Sequence, residues 1–173
     1  MPCTLFSLLM LILFASISYY ARSCGFEGIE ELPDQVQRFI TLGGYRLYPD
    51  YIKVEQNNRT LTLFHSWKNY GVGVLPNNHP NWNYKYQVSF VLMNERQEIV
   101  FLHTEPEAEP SEWLKGMSYN YLSQFDIPAK LRGKYTLCVG LTDKTKNNEA
   151  AIDLAVSENL KIGKWISVVG LEL

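Results

Sequence analysis

Along residues 60–67, Leu61, Leu63, His65 and Trp67 occupy every second position, with Thr60, Thr62, Phe64 and Ser66 between them. A period of two places each set on its own face, so the segment predicts a half-buried β-strand. The alternation recurs. Tyr86, Val88, Phe90 and Leu92 alternate with Gln87 and Ser89, Tyr119, Tyr121 and Phe125 share one side of residues 118–125, and Tyr135, Leu137, Val139 and Leu141 share one side of residues 133–141. A polar turn, Asn94-Glu95-Arg96-Gln97, separates the Tyr86 run from an apolar run at residues 99–103, which predicts a hairpin. Residues 45–54 and 165–171 supply an opening and a closing strand. Seven or so short strands, divided by turns rich in Asn, Pro, Gly and Lys, leave no room for the crossover helices of a parallel sheet. The expected fold is therefore all-β over residues 44–173, an antiparallel two-sheet Ig-like β-sandwich, with a closed barrel as the alternative.

The first 43 residues follow other periods. Residues 5–17 (LFSLLMLILFASI) are almost wholly apolar, too short a run to cross about 30 Å of hydrocarbon, and Ala21-Arg22-Ser23 offers small residues at the third and first positions before Cys24. This predicts a secretory signal peptide over residues 1–23, although no positive charge precedes the run; the alternative is an uncleaved membrane anchor. Residues 27–40 have helical spacing, with Pro33 early and Val36, Phe39 and Ile40 three and four apart, so a linker and short N-terminal helix are expected over residues 24–43, ending at Gly43-Gly44.

Composition changes this picture at three points. With 16 basic and 18 acidic residues dispersed along the chain, there is no basic stripe for phosphates, and nucleic acid is excluded as a partner. Export would leave Cys24 and Cys138 of the three cysteines; one disulfide is arithmetically open to them, but Cys24 would lie at a free N-terminus and Cys138 inside a strand. Lipidation of Cys24, or an uncleaved apolar segment, would attach the chain to a membrane at the cell surface; otherwise it is secreted. In a host that secretes through an endoplasmic reticulum, Asn58-Arg59-Thr60 is a glycosylation acceptor, with Asn58 the modified residue.

The chemistry-bearing residues form no familiar catalytic motif. The sequence has no nucleophile elbow, phosphate loop, paired-cysteine zinc spacing or calcium-loop pattern, so no cofactor or metal is expected and the chain is not expected to be an enzyme. His65 lies on an apolar strand face and reads as a satisfied core histidine; His79 and His103 have no further ligands at metal spacing. Glu105, Glu107, Glu109 and Glu112 cluster between prolines and read as a solvated acidic loop, since an acid catalyst needs a buried carboxyl and nothing apolar in the sequence encloses these. Residues 76–86 (PNNHPNWNYKY) are richest in recognition chemistry: amides donate to and accept from sugar hydroxyls, and flat rings stack on pyranose faces. The candidate ligand-binding residues are Asn78, Trp82, Asn83 and Tyr84. The competing reading has Trp82 turned inward as a loop anchor and Tyr86 opening a core strand.

Several of these segments occur in a familiar order. Trp67-Lys68-Asn69-Tyr70-Gly71-Val72-Gly73, then Trp113-Leu114-Lys115-Gly116, then Ile127-Pro128-Ala129 leading through Leu131 and Gly133 to Tyr135-Thr136-Leu137-Cys138-Val139-Gly140-Leu141-Thr142-Asp143, and finally Ala151-Ile152-Asp153-Leu154-Ala155 resemble a domain-of-unknown-function family. Gly44-Tyr45-Arg46-Leu47 matches as well. Members of that family are β-sandwich modules found C-terminal to glycoside-hydrolase-like barrels in secreted proteins. The resemblance implies a sandwich scaffold and an association with carbohydrate processing; no barrel precedes the module in this sequence. The expected function is a secreted, non-catalytic accessory module that binds carbohydrate. The alternatives are a structural or protein-interaction domain and a remnant of a larger glycoside-hydrolase-like protein, and the expected partners are a glycan or another secreted protein.

Overall fold

The computed structural model describes residues 43–173, and the expected signal peptide, the helix over residues 27–40 and Cys24 lie outside the described residues. The alternating segments become strands. Strands β1 (Leu47–Asn57), β2 (Thr60–Asn69) and β5 (Ser118–Asp126) form one sheet in the order β1-β2-β5. Strands β3 (Tyr86–Met93), β4 (Ile99–Glu105), β6 (Lys134–Asp143), β8 (Lys161–Ile162) and β9 (Trp165–Glu172) form the second, ordered β4-β3-β6-β9-β8, and β7 (Glu149–Ile152) also pairs with β6. All these strand pairs are antiparallel. Among the described residues the architecture is thus all-β, two antiparallel sheets forming a β-sandwich, with only 3-10 turns as helical structure. β1 is adjacent to β2, yet β5 also pairs with β2 across three intervening elements, a Greek-key arrangement of Ig-like sandwiches.

The inward set of each strand builds the core. Leu61, Leu63 and Trp67 of β2 meet Val88, Phe90 and Leu92 of β3 and Leu137, Val139 and Leu141 of β6, all fully buried. At roughly 1.5–3 kcal/mol for each large apolar side chain removed from water, this layer is the main stabilising term. The outward set of β3 and β6 is not solvated either: Val91, Met93 and Cys138 form a second apolar cluster with Trp165. The Trp165 ring lies over Gly140, where an added Cβ would stand 2.8 Å from Cε3.

The turn before β6 is held by side-chain bonds to its carbonyls. Tyr135 Oη donates to the carbonyl of Arg132, while Arg59 Nη1 donates to the carbonyls of Pro128 and Leu131. That tyrosine contact is the back-bond by which Ig-like sandwiches fix the entry to a late strand. Gly133 makes the turn at φ 105° and pairs through both backbone groups with Leu173.

Asn69 explains the Trp67-to-Gly73 segment. Its Oδ1 accepts from the amides of Arg46 and Gly71, and its Nδ2 donates to the carbonyls of Gly73 and Trp113. One buried amide therefore ties the chain entry, the start of the β2–β3 loop and the β4–β5 loop at one end of the sandwich.

Candidate functional site

The same end of the sandwich carries residues 76–86. This loop is built around a side chain that its sequence does not single out. Asn77 is fully buried; its Oδ1 accepts from the Tyr86 amide, and its Nδ2 donates to the Tyr86 carbonyl and to the Glu109 carboxylate. Glu109 also accepts from the amide and hydroxyl of Ser111, capping the 3-10 turn Pro110–Glu112. On the other side, the Lys85 ammonium stands 5.3 Å from the Trp82 ring centroid, 4.7 Å from that of Tyr86 and 3.5 Å from the carboxylate of buried Asp143. Burial works against charge on Asp143, but the Thr145 hydroxyl and amide, with Lys85, hold its carboxyl below the usual range.

The four candidate residues are placed unequally. Trp82 is half-buried, packed edge-on to Tyr86 at 5.4 Å and against the core, so it anchors the loop. Asn78, Asn83 and Tyr84 are exposed. Asn83 and Tyr84 both have left-handed backbone, φ 45° and 54°, and the Lys85 amide donates to the Trp82 carbonyl across them. This is a type I′ geometry, ordinary for Asn and uphill for Tyr. Tyr84 is 50% exposed, and its amide donates to the Asn77 carbonyl.

The acidic loop requires correction. Glu107 and Glu112 are exposed, but Glu105 is only 4% exposed and points into the sandwich, and Glu109 is the structural clamp on Asn77. Glu105 closes β4, so its side chain follows Phe101 and His103 on the inward face, and the sequence signal was this period of two running one step beyond the apolar residues.

Inside, Glu105 ends a chain of hydrogen bonds that joins both sheets. Trp67 Nε1 donates to His65 Nδ1 at 2.9 Å, so Nδ1 is the unprotonated nitrogen and Nε2 bears the hydrogen. Nε2 then donates to Ser123 Oγ at 2.9 Å, and the Ser123 hydroxyl donates to Glu105 Oε2. Glu105 Oε1 accepts from the Glu107 amide. Phe90 meets the His65 ring edge-on at 5.1 Å and Tyr121 stacks on it at 5.5 Å. Burial outweighs the attraction of Glu105 and lowers the His65 pKa to about 4.

Serine, histidine and glutamate in contact invite comparison with a hydrolytic triad, and the order of contacts decides against it. A triad has the carboxylate on the imidazole and a free imidazole nitrogen toward the serine. Here the carboxylate holds the serine, the imidazole donates to that serine, and the nitrogen that could act as a base is occupied by Trp67. His65 has the satisfied core role its strand face suggested, whereas no local pattern marks Ser123 as its partner.

The remaining candidates are dispersed. His79 is exposed in the loop, and His103 stacks on Phe125 at 4.2 Å, with burial lowering its pKa against the pull of Glu105. Asn58 is at the exposed tip of the β1–β2 turn, at the opposite end of β2, with φ 54°. Cys138 is a free buried thiol, its pKa pushed up to about 11 by burial. Among the described residues no group of three or more His, Cys, Asp or Glu side chains is placed to hold a metal ion.

No protein-family model matches the chain, and no curated protein matches it either.

Proposed function

We propose that the chain is a secreted, non-catalytic β-sandwich module that binds carbohydrate through residues 76–86. The observation that carries this reading is Tyr84. A left-handed aromatic residue costs about 1–3 kcal/mol, and such strain concentrates at ligand clamps. Tyr84 is held in that conformation on a braced loop, half exposed, with the exposed amide of Asn83 next to it and that of Asn78 earlier in the same loop. A planar ring with flanking amides is the chemistry that recognises a pyranose. Trp82 and Asn77 serve beneath it as supports. The non-catalytic part rests on the buried His65 chain, whose hydrogens all run toward Glu105 and leave no free base. The motif resemblance to modules that accompany glycoside-hydrolase-like barrels supports the same reading. In affinity electrophoresis of the full chain through gels containing soluble polysaccharides, at least one should retard it, and Tyr84→Ala should abolish the retardation while Lys164→Ala leaves it unchanged. Equal migration of Tyr84→Ala and the parent in every retarding gel would remove the loop from the proposal, and no retardation in any gel would remove carbohydrate.

A second reading, a protein-interaction domain, is favoured by Tyr70, Val72, Leu114 and Met117. These are each more than half exposed, on the two loops that Asn69 joins. Isolation from a secreted fraction with one stoichiometric protein, lost on Val72→Asp, would favour it over the glycan.

A further inference from the structure

We infer that the contact between His65 and Trp67 is an acid-sensitive latch for the β4–β5 loop. An indole nitrogen only donates, so the Trp67 hydrogen bond exists only while His65 Nδ1 lacks a proton. Protonation of the ring sets two N–H groups against each other in a site where His65 is 2% exposed and Trp67 wholly buried. One of the rings must then move. Nε2 is tied to Ser123, and the His65 ring lies between Phe90 and Tyr121, so displacement falls on Trp67.

Trp67 does not move alone. It stacks on Trp113 with centroids 5.0 Å apart and planes 18° from parallel. Trp113 ties the β4–β5 loop to the sandwich: its Nε1 donates to Tyr121 Oη, and its carbonyl accepts from Asn69. The following residue, Leu114, donates its amide to Tyr119 Oη. Displacement of Trp67 on protonation of His65 is thus passed through the stacked Trp113 ring to the loop that presents Leu114 and Met117, and the apolar patch changes shape in acid while the strands stay paired.

The charged and titratable groups around His65 are few. From β4, Glu105 reaches it through Ser123 and favours the protonated ring, and His103 lies two residues away on the same strand face. From β5 comes Tyr121, and from β3 only Phe90. Burial dominates, which places the latch in the acid range and keeps it closed near neutrality. The latch is independent of whether the module binds carbohydrate, and its test uses no ligand.

The test is an NMR titration of the full chain from pH 7 to pH 3.5, following the Cε1–H resonances of His65 and His103 and the indole N–H resonances of Trp67 and Trp113. The Trp67 and Trp113 resonances should move with the His65 titration, with a midpoint near 4, while backbone amide shifts in β6 and β9 hold. His65→Gln, which does not titrate, should remove the transition, and His103→Gln should leave it in place. Indole resonances that stay fixed while His65 titrates would overturn the latch. So would a transition that survives His65→Gln and disappears in Glu105→Gln, since the carboxylate would then be the sensor. If His65→Gln fails to fold, the wild-type coincidence of the two titrations still decides the matter.

Discussion

The side-chain amide of Asn77 stands 3.0 and 3.2 Å from the two carboxylate oxygens of Glu109, joining the β2–β3 and β4–β5 loops. The same amide group closes a second pair of bonds with the backbone of Tyr86. Removing it takes the partner from two backbone groups of Tyr86 and one contact from the half-buried Glu109 carboxylate, and each unsatisfied buried group costs about 1–3 kcal/mol. Asn77→Ala should therefore lower stability by about 2–4 kcal/mol in urea unfolding. Asn77→Asp should cost more at neutral pH, because it sets a second carboxylate against Glu109, and should recover part of the loss in acid. Equal midpoints for the two variants at pH 7 would show that the clamp is not electrostatic.

Tyr84 supplies a prediction of opposite sign. Its left-handed backbone is one that Asn tolerates, so Tyr84→Asn should raise stability by roughly 0.5–1 kcal/mol. If the ring is there for a ligand, the same variant should lose retardation in the polysaccharide gels. Gain of stability with loss of binding is the pattern of a strained functional residue, whereas loss of both would mean that the ring braces the loop.

The strands were legible because most of them bury one face, and burial writes a period of two into the sequence. Thr60–Asn69, Tyr86–Met93 and Lys134–Asp143 follow that period and lie within a few residues of their expected bounds. β7 and β8 were missed because four and two residues cannot display an alternation. β1 ran three residues past its expected end because Glu55, Gln56 and Asn57 lie on an exposed edge strand and carry no apolar signal. At the loop, composition pointed to residues 76–86 but could not rank them. Asn77 and Asn78 are neighbours of one type, and only the fold makes the first a buried clamp and the second a surface amide. Glu105 was misjudged for a related reason: proline and glutamate around it suggest solvent, while strand register turns it inward.

His65 sets a pH dependence of stability. Its folded pKa of about 4 lies below the 6.5 of a free imidazole, so the unfolded chain binds more protons between those values. Stability is then undiminished above pH 6.5 and falls as the pH drops from 6.5 toward 4. The full shift corresponds to about 3 kcal/mol by linkage. Urea midpoints at pH 7 and pH 4.5 should differ more for the parent than for His65→Gln, and parallel profiles would assign the acid sensitivity to carboxylates alone.

Gly71 tests how tightly the loop-bearing end is packed, and Gly170, which pairs with Thr136 at the opposite end of β6, is its control. A Cβ on Gly71 would stand 2.2 Å from the Gly44 carbonyl oxygen and 3.0 Å from the Arg46 amide nitrogen. Both are backbone atoms, and the Gly44 carbonyl already accepts from the Gly73 amide, so neither strand of the turn can retreat without breaking the ring of bonds around Asn69. Gly71→Ala should cost about 2 kcal/mol or more, in the range of overpacked cores. A Cβ on Gly170 in β9 meets nothing within 4 Å, and its backbone is not left-handed. Gly170→Ala should be neutral or stabilise by a few tenths of a kcal/mol by reducing the freedom of the unfolded chain. Melting curves of the two variants, recorded side by side, check the contrast. A tolerant Gly71→Ala would mean that the Gly44–Gly73 turn yields, and the loops it anchors would then be looser than the Asn69 bonds imply.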